Sequence, residues 1–93
     1  MVKVNLSGSF QRDYIEFHHQ HPNLLQEVDK RIHWFRKNPD DARLRNHKLL
    51  KKMKGKFAFS ITGDIRIVYE WIGKSTVRFL AIGGHKKVYT RKT

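Results

Sequence analysis

The second half of this sequence holds imidazoles at His47 and His85, a phenol at Tyr89, and cations at Lys52, Lys54, Lys56 and Arg66. Together these side chains suit the cleavage of RNA by attack of a ribose 2′-OH on its own phosphate. The nucleophile is then part of the substrate, so the protein needs only to move protons and stabilise charge. An imidazole titrates near neutral pH and can accept the proton. Lys and Arg aimed at the pentavalent phosphate stabilise the transition state, and a second His or Tyr protonates the leaving 5′ oxygen. Spacing alone favours a structural reading, in which His47 caps a strand or loop and His85 fills a turn.

Other chemistries find less support. His18, His19 and His21 form "HHQH", but side chains at a helix end diverge and no further ligand stands at matching spacing, so no metal site is expected. There is no G-x-S-x-G elbow for a serine nucleophile and no Gly-rich phosphate cradle before a helix, so NTP and dinucleotide chemistry are not expected. The absence of cysteine excludes disulfides, thiolate metal sites and thiol nucleophiles, and makes the reducing cytoplasm the default. Neither a signal peptide nor an apolar run of spanning length stands out, so no membrane association is expected.

Charge points to the partner. The formal charge is +12, and all of it lies beyond residue 42. Residues 1 to 42 balance six basic against six acidic side chains, whereas residues 43 to 93 carry 14 basic groups against only Asp64 and Glu70. The stretch "RLRNHKLLKKMKGKF" alone holds seven of those cations around His47. A one-sided field of this kind steers and holds a polyanion. The candidate RNA-binding cations are Lys48, Lys52, Lys54, Lys56, Arg78, Lys86 and Lys87.

The elements that must position these groups are legible from periodicity. A chain of 93 residues forms one domain with one modest core. "VKVNL" alternates and reads as a short strand. After Ser7 or Ser9 as N-cap, Phe10, Tyr14 and Phe17 form the stripe of a first helix. Pro22 opens a second, with Leu24 or Leu25, Val28, Ile32 and Phe35 at helical spacing until "NPDD". Beyond Pro39 the period becomes two. "FAFSI", "IRIVYEW" and "TVRFLAI" read as strands joined by tight turns, and "KKVYT" as a final edge strand. The order β-α-α-β-β-β predicts an α+β fold, an antiparallel sheet with a helical hairpin on one face.

Strand facing separates core from surface. Phe57, Phe59 and Ile61 share a face with Ile65, Ile67, Tyr69 and Trp71 of the next strand, and these should pack on the helices. In the third strand Val77, Phe79 and Ala81 belong with them. Arg66, Val68, Arg78, Leu80 and Ile82 are then left on an open, mixed face able to bind a partner.

The segments "NP.D.RL..HKL", "KG.FAFSI.GDIRIVYE" and "FL.IG.H..VY", with "F..D" in the first helix, resemble the RelE/ParE superfamily of toxins from type II toxin-antitoxin systems, closest to its YafQ-like branch. The likeness covers nearly the whole chain. It implies a small endoribonuclease that cuts mRNA in the ribosomal A site, without a cofactor, and that an acidic antitoxin holds inactive. By motif position it implies that His85 transfers a proton, Arg66 stabilises the transition state, and His47 is a second acid/base group or phosphate ligand. Asp64 matches an active-site aspartate, Tyr89 an aromatic that stacks on or orients the RNA, and Lys52, Lys54 and Lys56 the backbone-binding lysines. The branch carries a further histidine between the matches to His47 and Asp64, where this chain has Ser60. The same superfamily includes ParE-like gyrase poisons and homologues that only bind an antitoxin, so the fold alone leaves those alternatives open.

Overall fold

The computed structural model describes residues 1–90 and follows the order β1 (Lys3–Leu6), α1 (Gly8–Gln20), α2 (Leu25–Lys37), β2 (His47–Lys48), β3 (Phe57–Ser60), β4 (Ile65–Trp71), β5 (Thr76–Gly84) and α3 (His85–Thr90). Short 3-10 turns lie at Pro22–Leu24, Ala42–Leu44 and Lys51–Met53. The strands form one sheet in the order β1-β5-β4-β3-β2.

The sheet is mixed, which corrects the all-antiparallel expectation. β2, β3, β4 and β5 pair antiparallel, but β1 runs parallel to β5, with Val4 opposite Val77 and Leu6 opposite Phe79. A hairpin forces its strands antiparallel, whereas β1 reaches β5 only after the chain has passed through both helices and the meander, so no turn sets its direction.

Helix α1 begins where Ser7 accepts a hydrogen bond from the Phe10 amide at 3.0 Å, satisfying one of the orphan donors of the first turn. It buries Phe10 and Phe17. Helix α2 buries Val28 and Phe35, and stops where Asn38 turns extended ahead of Pro39. The Phe35 ring stacks on Phe59 at 4.6 Å and meets Tyr69 and Phe79 edge-on, so one residue of α2 ties three strands together.

In β3 and β4 Phe59, Ile61, Ile65, Ile67 and Tyr69 lie in the core against the helices as the alternation requires, but Trp71 at the end of β4 is 37% exposed and stays outside that core. In β5 it changes midway. Val68 opposes Ala81 but Tyr69 opposes Phe79, so Leu80 is an extra residue and the strand is bulged there. A bulge reverses every later side chain relative to simple alternation. Ile82 therefore joins the helix-side core and Ala81 the opposite face, the reverse of what the sequence suggested.

That opposite face is also covered rather than open. The segment "KKVYT" belongs to helix α3, not to an edge strand, and its Val88 is buried against Ala58, Val68 and Ala81 beneath Leu49 and Met53. Packing of Val88 into this hollow outweighs the β-leaning local composition. No helix among the described residues is long and apolar enough to cross a membrane.

Candidate active site

His47 lies on the two-residue edge strand β2, and the residues before it hold the ring in place. Arg45 adopts a left-handed conformation (φ 50°, ψ 44°), unusual for a non-glycine residue, and closes the 3-10 turn Ala42–Leu44. This turns the Arg45 carbonyl onto Nδ1 of His47 at 3.0 Å. A carbonyl only accepts, so Nδ1 carries the proton, and in the neutral ring Nε2 presents its lone pair. Asn46 clips the same segment to the core, donating from Nδ2 to the Pro39 carbonyl at 2.9 Å and to the Tyr69 hydroxyl at 2.6 Å. Burial pushes the Tyr69 phenol up to about 12, so that hydroxyl stays protonated through the physiological range.

His85 and Tyr89 stand one turn apart on α3 and so share a face. Their rings meet edge-on at 4.4 Å. The Tyr89 hydroxyl lies 3.5 Å from Nε2 of His47, and the Arg66 guanidinium carbon lies 5.9 Å from the Tyr89 ring centroid. Tyr89 is thus the group on which both histidines and the arginine converge. Arg66 is drawn from β4, and its Nε is buried with no hydrogen-bond partner among the described residues.

Asp64 sits behind this cluster. Its Oδ1 accepts from the His85 amide at 3.1 Å, which anchors the start of α3 in the β3–β4 turn. The contact depends on Gly84, where a Cβ would come within 2.8 Å of Asp64 Oδ2. The other end of the anchor is Lys87. Its Nζ lies 3.0 Å from Glu16 and 3.9 Å from Asp13, and Asp13 is almost wholly buried and also accepts from the Ile82 amide.

The structure therefore brings His47, Arg66, His85 and Tyr89 together, with Asp64 as a support. Lys52 borders a hollow of about 430 Å³ that His47, Leu49, Leu50, Met53 and Tyr89 also line. Lys48 borders a second, of about 490 Å³, with Phe57, Tyr69 and Trp71. Lys54 and Lys86 are exposed and Lys56 is half-buried. Arg78 and Lys87 are not in the cluster: Arg78 pairs with Glu70 at 3.4 Å, and Lys87 is committed to α1. Among the described residues no group of three or more His, Asp or Glu side chains could hold a metal ion, and "HHQH" makes none.

Sequence reasoning missed a third hollow. A groove of about 730 Å³, the largest of the three, is lined by Arg31, Arg43, Arg45 and Arg66 with His47, Ser60 and the Thr62–Gly63 turn. The signal for Arg43 and Arg45 lay in "RLRNH", where they counted only as part of a charge run. Arg31 falls in the charge-balanced first 42 residues, where nothing in the sequence sets it apart.

No protein-family model and no curated protein matches this chain. Among solved structures, YafQ from Escherichia coli strain BL21(DE3) superposes with a TM-score of 0.81 at 19% identity, over 96% of this chain and 99% of that one. A copper-bound mutant toxin from Helicobacter pylori shares 30% identity at a TM-score of 0.72, over 95% of this chain and 99% of that one. The E. coli DinJ–YafQ complex gives 21% identity and a TM-score of 0.72, over 96% of this chain and 99% of that one.

Proposed function

From the premise that the chain belongs to the RelE/YoeB family of toxins of type II toxin-antitoxin systems, we propose that it is an endoribonuclease that cuts mRNA on the ribosome. The observation that carries this reading is the convergence of His47, His85 and Arg66 on Tyr89. A protein that only binds a partner has no need for two imidazoles and a guanidinium around one phenol.

The chemistry follows from the tautomer of His47. Its Nε2, left unprotonated by the Nδ1 contact to Arg45 and approached by the Tyr89 hydroxyl, takes the proton from the ribose 2′-OH as the substrate displaces that hydroxyl. The 2′ oxygen bonds to phosphorus as the bond from phosphorus to the 5′ oxygen breaks. Protonated His85 gives its proton to that leaving oxygen, so the products are a 2′,3′-cyclic phosphate and a 5′-hydroxyl. Arg66, whose guanidinium lies against Tyr89, stabilises charge on the pentavalent phosphate. Tyr89 stacks on or orients the RNA and holds the two histidines in register. No step calls for a metal ion or cofactor.

The partner that silences the activity is proposed to be an acidic antitoxin. Leu50 is 77% exposed beside Lys51 and Lys52 at the rim of the site, which suits a segment carrying both apolar and acidic side chains. Solved neighbours that are toxin-antitoxin complexes support this reading.

The deciding experiment is toeprinting of mRNA in a translation extract, with and without EDTA. Cuts by the wild type that persist in EDTA and vanish in His85→Ala are expected. Equal cutting by that variant removes His85 from the mechanism. Inhibition of DNA supercoiling without any RNA cut would replace the ribonuclease reading with gyrase poisoning.

A further inference from the structure

The arginine groove is adjacent to the cluster around Tyr89 and shares two of its members, His47 and Arg66. Among the described residues its lining contains four guanidiniums and no carboxylate. The four are not equivalent. Arg31 is spent internally: it pairs with Glu27 at 2.6 Å and donates to the carbonyls of Arg43 and Ser60 at 3.0 and 3.1 Å. It braces the groove wall. Arg43 is gripped at Nε and Nη2 by the Asp41 carboxylate and lies flat over Trp34, its guanidinium carbon 3.6 Å from the ring centroid. That grip fixes the guanidinium's orientation and leaves Nη1 without a hydrogen-bond partner among the described residues.

Arg45 and Arg66 are different. The Arg45 side chain makes no ion pair or hydrogen bond among the described residues, yet its backbone holds a left-handed conformation that an arginine rarely adopts. Among the described residues the Nε of Arg66 is buried without a partner, and the side chain's one hydrogen bond is a long one, 3.5 Å, to the Gly63 carbonyl. The groove thus offers the uncommitted guanidinium of Arg45, that of Arg66 with its one long contact, and that of Arg43 held in place, all beside the His47 ring. Such a fork of fixed donors matches a phosphate in geometry and charge.

We propose that this groove binds one phosphodiester of the substrate strand, a phosphate flanking the scissile one, with Arg45 as its principal ligand and Arg43 as a second. The inference rests on the ribonuclease reading above and names how that site holds its RNA. It assigns the strand's path past His47 to the arginine side, apart from the lysine-lined hollow.

The test uses a short single-stranded RNA made resistant to cleavage by 2′-O-methyl riboses, with its affinity measured over a range of salt. Each phosphate neutralised on a single strand contributes about 0.7 to the slope of log affinity against log salt. Arg45→Gln is expected to flatten the slope by about that amount, and Arg45→Lys to restore it. Gln meets the same left-handed backbone as Arg, so the fold is not at issue. A scan with single neutral methylphosphonate linkages should find one position at which the wild type and Arg45→Gln bind equally. An unchanged slope in Arg45→Gln, or no such position in the scan, overturns the groove while the ribonuclease reading stands. A wild type that binds this RNA at no salt concentration, even with the lysines intact, overturns the groove; the ribonuclease reading falls only if toeprinting on the ribosome shows no cut.

Discussion

The two faces of the sheet are built on opposite plans. Toward α1 and α2 the sheet is thick with aromatic rings: Phe35, Phe59, Tyr69 and Phe79 meet in one nest, with centroids 4.6 to 5.9 Å apart. Toward α3 the buried side chains are Ala58, Val68, Ala81 and Val88, all small. The thick face carries most of the buried apolar area and hence most of the stability. The thin face lets a short helix approach the strands closely enough for His85 and Tyr89 to reach His47 and Arg66. Stability and the candidate chemistry are thus divided between the two sides of the same three strands.

Phe35→Ala should break the thick face, costing about 3 to 5 kcal/mol as a large ring leaves a cavity. The midpoint of a denaturant titration reads this directly, and a loss below about 1 kcal/mol would mean the nest does not dominate. Asp64→Ala attacks the thin face instead. Loss of the acceptor for the His85 amide should cost only about 1 kcal/mol of stability. RNA cutting should nevertheless fall on the order of tenfold to a hundredfold, because α3 no longer holds both rings in register. A variant that melts early but cuts normally would reverse the assignment of roles.

The smallest effect lies at the rim. The Arg43 hydrogen bonds lower the Asp41 carboxyl from the usual carboxylate range to about 2. A depressed carboxylate favours the fold at all pH values above its ordinary titration, and that contribution fades as pH falls through about 2. An NMR titration should place Asp41 there, and Arg43→Gln should return it toward the ordinary range. Normal titration with Arg43 present would show that the guanidinium is not held.

What the sequence disclosed, and what it concealed, follows the same division. The aromatic stripes of α1 and α2 and the alternation in β3 and β4 specify the thick face, because large apolar residues recur at fixed periods. Three features escaped. The direction of β1 is set by the path of the helices, not by any local turn. The bulge at Leu80 lies in "FLAI", where every residue is apolar and alternation offers no contrast. Helix α3 forms because Val88 finds a hollow and Asp64 an amide, contacts distant in sequence. For the candidate site, residue types singled out His47, Arg66, His85 and Tyr89, while the resemblance added Asp64. Their convergence on one phenol could not be read from spacing. Arg45 escaped because nothing in a run of cations distinguishes the one whose backbone is strained.

The extra residue at Leu80 makes β5 a measuring stick. Downstream of it, Ile82 fills a space on the helix side and Ala81 lies flat beneath Val88. Removing Leu80 itself would straighten the strand and leave both side chains where they are, since Phe79, Ala81 and Ile82 already stand opposite Tyr69, Val68 and Ile67. Removing one further position would exchange them, pushing a bulky chain under α3 and leaving a void among the rings. The strand therefore carries one residue of slack, and only one.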